Sequence, residues 1–176
     1  CLMPIGVRPL LEHWLCALLR SGVSEVLVNT HHHQELVDSF LQRQQFSSWV
    51  QGTYEPILLG TAGTLRQNLD FFENQTALVI HADNWCQCDF GSFLRFHESV
   101  TPSGTVMTMM TFKTDRPSQC GVVEVDNNGV VIGFHEKVDT PPSNLANGAV
   151  YLIEPEVIEW ISERNNVTNF SNQVIQ

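Results

Sequence analysis

Asp83 follows closely on the apolar run Ala77-Leu-Val-Ile80. A carboxylate just past a buried strand faces the crevice in which open α/β sheets take their ligands. There it can hold Mg²⁺, a hard cation that binds oxygen and is usually held by one or two carboxylates plus substrate phosphates. The same position suits a cap on the following segment, and position alone leaves both readings open. Gly60-Thr-Ala-Gly63 stands between a strand and an expected helix over Thr64 to Leu69. Two glycines around small residues let backbone N–H groups approach a nucleotide at a helix N-terminus. A tight turn explains the same four residues, since the chain has neither a Walker sequence nor G-x-G-x-x-G. Lys137 adjoins Glu136, and such a pair can bind a hydroxyl and a phosphate of one ligand; an ordinary surface pair is the alternative. His31-His-His33 does not make a metal site, because three consecutive residues on a regular element cannot face one ion. Cys86-x-Cys88 has no second pair and reads as structural thiols.

These residues sit on a recognisable alternation of elements. Leu10, Leu11, Trp14, Leu15, Leu18 and Leu19 form one helical stripe, predicting a helix over roughly 9 to 21 with Gly22 as its stop. Glu25 to Asn29 and Ala77 to Ile80 are short apolar runs of the kind that form strands buried on both faces, and Val50 to Glu55 alternates like a strand. Leu36, Val37, Phe40 and Leu41 restore helical spacing, as do Phe90, Phe93, Leu94 and His97 behind Asp89, a plausible N-cap. Gly104 to Phe112 predicts a strand. Cys120 to Val125 and Val130 to Phe134 flank Asp126-Asn-Asn-Gly129, a hairpin signal in which both Asn128 and Gly129 accept positive φ. Asn147 to Ile153 predicts a further strand, with Pro155 opening a last helix through Ile161. The order implies an α/β fold: a doubly wound, mostly parallel sheet with an antiparallel hairpin in the second half. The strand ends that matter are then Asn29 to His33, Tyr54-Glu-Pro56 leading to Gly60, and His81 to Asn84.

The composition narrows the partners. The 176 residues suit one domain with its own core. With 9 Lys plus Arg against 19 Asp plus Glu, the net charge is −10, so nucleic acid and anionic membrane surfaces are poor partners. An anionic ligand must be held locally, by backbone N–H groups, a few basic side chains and a metal. No apolar run approaches the ~20 residues that cross a bilayer. The five cysteines are odd in number and scattered. They read as reduced thiols, in keeping with a cytoplasmic protein.

Six motifs taken in order resemble the sugar-1-phosphate nucleotidyltransferase family: Leu2-Met-Pro-Ile-Gly6 with Arg8-Pro-Leu-Leu-Glu-His-Trp14, Leu59-Gly-Thr-Ala-Gly-Thr-Leu65, His81-Ala-Asp-Asn84, Cys120-Gly-Val-Val123, Phe134-His-Glu-Lys137 and Leu145-Ala-Asn-Gly-Ala-Val-Tyr151. The resemblance implies a Rossmann-like nucleotide-diphospho-sugar transferase fold spanning residues 1–176 as a single core domain. It implies transfer of a nucleoside monophosphate from an NTP to a sugar 1-phosphate, with Mg²⁺ and release of pyrophosphate. Asp83 matches the family's metal-binding aspartate, and Gly60, Thr61, Ala62 and Gly63 its base-contacting loop. Glu136 matches the residue that holds a sugar hydroxyl, and Lys137 the one that neutralises the sugar phosphate. Gly121 and Asn147 fall where the family lines its sugar pocket. The Gly-Thr-Ala-Gly loop looks most like the bacterial mannose-1-phosphate guanylyltransferase branch, which uses GTP. Members often assemble, so a homo-oligomer is expected.

The chain departs from the family pattern at both ends. It starts after the Gly-x-Gly-Thr-Arg loop that wraps the triphosphate and stops before the second metal aspartate, so it reads as truncated and inactive alone. Ala82 and Val138 replace the family's common Gly and Pro. The rival reading from another class is a catalytically silent nucleotide-sensing subunit, against which the retention of Asp83, Glu136 and Lys137 argues. A dinucleotide-binding domain is unsupported without G-x-G-x-x-G and its distal acidic residue.

Overall fold

The structure, a computed structural model, describes residues 1–72 and 74–175. Its elements in chain order are β1 (Pro4–Ile5), β2 (Arg8–Pro9), α1 (Leu10–Arg20), β3 (Val26–Thr30), α2 (Gln34–Leu41), β4 (Val50–Tyr54), α3 (Thr61–Gln67), α4 (Leu69–Phe72), β5 (Ala77–Ile80), α5 (Phe90–Ser99), β6 (Met107–Lys113), β7 (Gly121–Val125), β8 (Val131–Glu136), β9 (Leu145–Ile153), α6 (Pro155–Ser162) and α7 (Phe170–Gln173). They pack as two compact units, the first of residues 1–59 with 82–96 and the second of residues 60–81 with 97–176.

In the first unit, β3 and β4 pair in parallel, Val26 against Val50 through Thr30 against Tyr54. Helices α1 and α2 close over them because Leu11, Leu15, Val37, Phe40 and Leu41 recur at helical spacing and meet Phe46 and Val50 in one apolar cluster. Helix α1 ends where expected, with Gly22 at φ 87° just beyond its cap. Asp89 caps α5 through Ser92 N–H at 3.0 Å.

The second unit is built around β9, the longest strand. Antiparallel β5 lies along its C-terminal half, Ala77 opposite Ile153, while antiparallel β6 runs along its other edge. The β7–β8 hairpin joins β9 through Val122 opposite Ala146. Tyr151, Ile153, Ile161 and Phe170 are fully enclosed and form one core with Ala62, Leu65, Ala77, Val157, Ile158 and Val167. Each such large side chain contributes roughly 1.5–3 kcal/mol by burial.

The α/β class and the hairpin are as the sequence implies, and the expected parallel pairing is seen in β3–β4. Antiparallel pairing extends beyond the hairpin to β5 and β6, so the larger sheet is ordered by β9 rather than by crossover units. Strands β3 and β5 are also less buried than their apolar runs suggest, each having a single buried residue, Thr30 and Ala77. The hairpin turn differs in detail. Asn128 does not take positive φ; Gly129 does, at 78°. Asp126 closes the turn, its Oδ1 accepting from Asn128 N–H at 2.9 Å and Val130 N–H at 2.8 Å. No helix among the described residues is long and apolar enough to cross a membrane.

Candidate functional site

The hairpin brings Gly121, Glu136 and Lys137 together. Gly121 is the cross-strand partner of Glu136. A Cβ on Gly121 would lie 2.6 Å from Glu136 Oε2 and 2.7 Å from Phe134 Cζ, so glycine is what leaves room for that carboxylate. Glu136 is half-buried, whereas Lys137 is exposed with its Nζ 3.6 Å from Glu136 Oε1. Lys137 adopts φ 49°, a left-handed conformation unusual for lysine, while its N–H donates to Cys120 O at 3.2 Å. Such strain costs about 1–2 kcal/mol and turns the chain sharply after Glu136.

Asn147 is positioned by an irregularity in β9. Between Asn147 and Tyr151 the register against β6 shifts, and Ala149 takes φ 54°. Gly148 passes so close to β6 that a Cβ would meet Met110 O at 2.9 Å. Asn147 Oδ1 accepts from Ala149 N–H at 2.8 Å, and its Nδ2 donates to Tyr151 Oη at 2.6 Å. In a regular strand, residues four apart stand ~13 Å from one another. The bulge therefore creates this contact, and re-aiming a side chain is what bulges do. Burial pushes the Tyr151 phenol above its ordinary range, opposed by the Asn147 and Ser171 hydrogen bonds and reinforced by the charge of Glu136. Glu136, Asn147 and Tyr151 thus feel one another.

The Gly60 to Gly63 segment is not a loop ahead of a helix. Thr61, Ala62 and Gly63 form the first turn of α3, and Gly60 precedes it at φ 75°, ψ 164°. Helix formation starts this early because the segment has a docking partner. Ala62 N–H donates to Thr168 O at 3.0 Å, and Thr61 Oγ1 accepts from Phe170 N–H at 2.8 Å. Ala62 and Gly63 are buried, Thr61 is half-buried and Gly60 is exposed, so Gly60 offers the segment's most accessible backbone. Phe170 packs on Tyr151 with ring centroids 4.9 Å apart, linking this turn to the Asn147 side of the same unit.

Asp83 lies in the first unit, exposed, in a turn beyond β5. The residues after it are tied to α1: Trp14 Nε1–H donates to Asn84 O at 3.0 Å, and His13 meets Trp85 edge-on at 4.9 Å. An exposed carboxylate is suitable donor chemistry for Mg²⁺, which keeps several waters and takes phosphate oxygens. Among the described residues, no group of three or more His, Cys, Asp or Glu is gathered to hold a metal.

Two residues of consequence are not singled out by the sequence. Tyr151 reads as core until the bulge brings Asn147 onto its hydroxyl. Glu55, at the end of β4, is 1% exposed yet charged in type. Its carboxylate accepts from Asn29 Nδ2 at 3.5 Å and Leu59 N–H at 3.3 Å, and its carbonyl bonds His31 Nδ1 at 2.7 Å. Glu55 thereby fixes the path of the chain up to Leu59. A polar residue directly after a strand is the only hint of this role in the sequence.

The chain and its fold have counterparts among known proteins. A family model described as nucleotidyl transferase matches residues 1–176. The chain belongs to that family. A mannose-1-phosphate guanylyltransferase catalytic subunit beta from Dictyostelium discoideum is 29% identical over 161 residues, covering 89% of this chain and 44% of the relative. A UTP–glucose-1-phosphate uridylyltransferase from Synechocystis is 29% identical over 174 residues, covering 91% of this chain and 45% of the relative. The chain thus spans less than half the length of these relatives. In fold it resembles a Bacillus anthracis structure assigned as a glucose-1-phosphate thymidylyltransferase, with a TM-score of 0.81, 24% identity, and coverage of 92% of this chain and 65% of the other. HddC from Yersinia pseudotuberculosis gives a TM-score of 0.79 at 20% identity, covering 98% and 73%.

Proposed function

We propose that the protein to which this chain belongs is a cytoplasmic sugar-1-phosphate nucleotidyltransferase that uses Mg²⁺, and that residues 1–176 carry its sugar-phosphate side. The observation that carries this reading is the Gly121–Glu136–Lys137 arrangement beside Asn147 and Tyr151. A small residue opens space over a half-buried carboxylate, an exposed ammonium stands next to it, and an amide is held by a tyrosine. Glu136 would accept from a sugar hydroxyl, with Asn147 donating or accepting at a second one. Lys137 would neutralise the sugar phosphate, an interaction worth about 1.5–3 kcal/mol as a charge-assisted hydrogen bond.

The reaction asks for positioning and charge neutralisation rather than a protein nucleophile. The phosphate oxygen held at Lys137 attacks the α-phosphorus in line, and pyrophosphate leaves. Mg²⁺, when bound, supplies charge neutralisation on the phosphates, and Asp83 is the residue that would hold it. Gly60, Thr61, Ala62 and Gly63 would serve the nucleotide by shape, with the Gly60 backbone nearest the base. GTP and mannose 1-phosphate are the substrates we infer, supported by the guanylyltransferase relative and by the Gly-Thr-Ala-Gly sequence; the uridylyltransferase relative makes UTP and glucose 1-phosphate the alternative pair. A homo-oligomer is the assembly we infer for the whole protein.

The test is pyrophosphate release by the full-length protein with Mg²⁺, over a grid of NTPs against sugar 1-phosphates. Turnover at GTP with mannose 1-phosphate supports the reading. Nucleotide binding without turnover anywhere on the grid would establish a silent, nucleotide-sensing relative instead.

A further inference from the structure

The turn at Gly60 to Gly63 is held by chain that has no regular structure of its own. Residues 164–169 join α6 to α7 as turns and irregular backbone, within the same unit as the turn. Two backbone groups of this stretch and its end reach the turn: Thr168 O accepts from Ala62 N–H at 3.0 Å, and Phe170 N–H donates to Thr61 Oγ1 at 2.8 Å. Irregular backbone lacks a ladder of its own, so side chains must satisfy and fix it. Two of them do so here. From α3, Arg66 Nη1 donates to Arg164 O at 3.1 Å and to Val167 O at 2.8 Å. From α7, Gln173 Oε1 accepts from Thr168 N–H at 2.9 Å and from Asn169 N–H at 2.8 Å. Arg66 stands one helical turn after Ala62, so both face the same stretch of chain. It is half-buried and one of only 9 Lys and Arg residues, yet its guanidinium is directed at main-chain carbonyls. Such charge-assisted bonds are stronger than neutral ones, and both originate from one planar nitrogen.

We propose that Arg66 is a positioning residue for the nucleotide: it locks residues 164–167, so that Thr168 and Phe170 keep the Gly60 to Gly63 turn in the form the nucleotide meets. The role rests on our assignment of that turn to the nucleotide, whereas the clamp does not. Without the guanidinium, Arg164 O and Val167 O lose their donor and Thr168 is released. Gly60, at φ 75° and ψ 164°, is then free to leave that conformation, and the ligand itself must order the turn, which lowers nucleotide affinity. The sugar side is spared. The Phe170 ring is fully enclosed in the core, so its packing on Tyr151 does not depend on Arg66.

The experiment compares the full-length wild type with two variants. Arg66→Met keeps the length and apolar stem of the side chain without its donors, and Gln173→Ala frees the same stretch from its exposed side. Amide hydrogen exchange reads the clamp: the Ala62 amide should exchange faster in both variants, while β9 keeps its wild-type protection. Steady-state pyrophosphate release reads the role. In Arg66→Met, KM for the NTP should rise about 10-fold, with KM for the sugar 1-phosphate within about twofold of wild type. Gln173→Ala should show the same split at smaller size. Wild-type exchange at Ala62, equal rises in both KM values, or faster exchange with an unchanged KM for the NTP would each overturn the proposal. Should Arg66→Met fail to fold, Gln173→Ala decides by the same readings. A wild type that binds GTP or UTP in calorimetric titration without turnover refutes the transferase reading instead. Arg66 is then judged by affinity for that nucleotide, which should weaken about 10-fold in Arg66→Met; unchanged affinity overturns its role. A wild type that binds neither nucleotide overturns both.

Discussion

Replacing Gly60 by alanine perturbs the candidate nucleotide turn at its most constrained point. Two costs add. The backbone at φ 75°, ψ 164° lies in a region essentially reserved for glycine, and forcing an L residue there costs about 1–3 kcal/mol. The new Cβ would also overlap the Thr168 carbonyl and lie 3.0 Å from its carbon, contacts to backbone that no rotamer relieves. Displacing Thr168 disturbs the bond it accepts from Ala62 N–H, so a further cost of about 1–3 kcal/mol follows. The total of about 4 kcal/mol corresponds to a fall in Tm of roughly 12 °C for a chain of this size. Gly104→Ala is the internal comparison. Gly104 has φ 85° but nothing within 4 Å of the position a Cβ would take, so backbone strain of about 1 kcal/mol is its whole effect. Thermal unfolding followed by far-UV circular dichroism measures both. A Gly60→Ala protein as stable as Gly104→Ala would refute the claim that Thr168 locks the turn.

Two further outcomes follow from the sugar side. Gly121→Ala should destabilise by about 2 kcal/mol, because the methyl drives into Phe134 and Glu136, and on the proposed function it should raise the full-length protein's KM for the sugar 1-phosphate more than for the NTP. Unchanged Tm and KM would show that the space over Glu136 is not used. For Tyr151, the folded protein holds the phenol proton above the ordinary value of 10.0. Stability therefore does not depend on this group below that value, and falls as pH rises through it, since the unfolded chain ionises first. Urea midpoints across alkaline pH should show that fall in wild type and a smaller one in Tyr151→Phe; identical slopes would remove Tyr151 as its source.

Much of the chain was legible because its signals are local. The stripe of Leu10, Leu11, Trp14, Leu15 and Leu18 places α1 within a residue of its observed ends, and Asp89 and Pro155 open α5 and α6 as caps and first-turn residues should. The pairing of β5 and β6 with β9 was not legible, since an apolar run does not say whether its neighbour runs parallel or antiparallel. The first turn of α3 carries only a loop signal in the sequence because its docking partner, Thr168 to Phe170, is about a hundred residues away. Glu136 and Lys137 are legible by their types, but the features that support them as a candidate site are long-range: the space at Gly121 and the Asn147–Tyr151 bond across a bulge.

The central claim, that Lys137 receives the phosphate of a sugar 1-phosphate, is tested most directly by steady-state pyrophosphate release from full-length Lys137→Ala. Loss of a charge-assisted contact predicts KM for the sugar 1-phosphate rising about 10- to 100-fold, with KM for the NTP within about twofold of wild type. Wild-type KM for the sugar 1-phosphate, with turnover intact, would contradict the account.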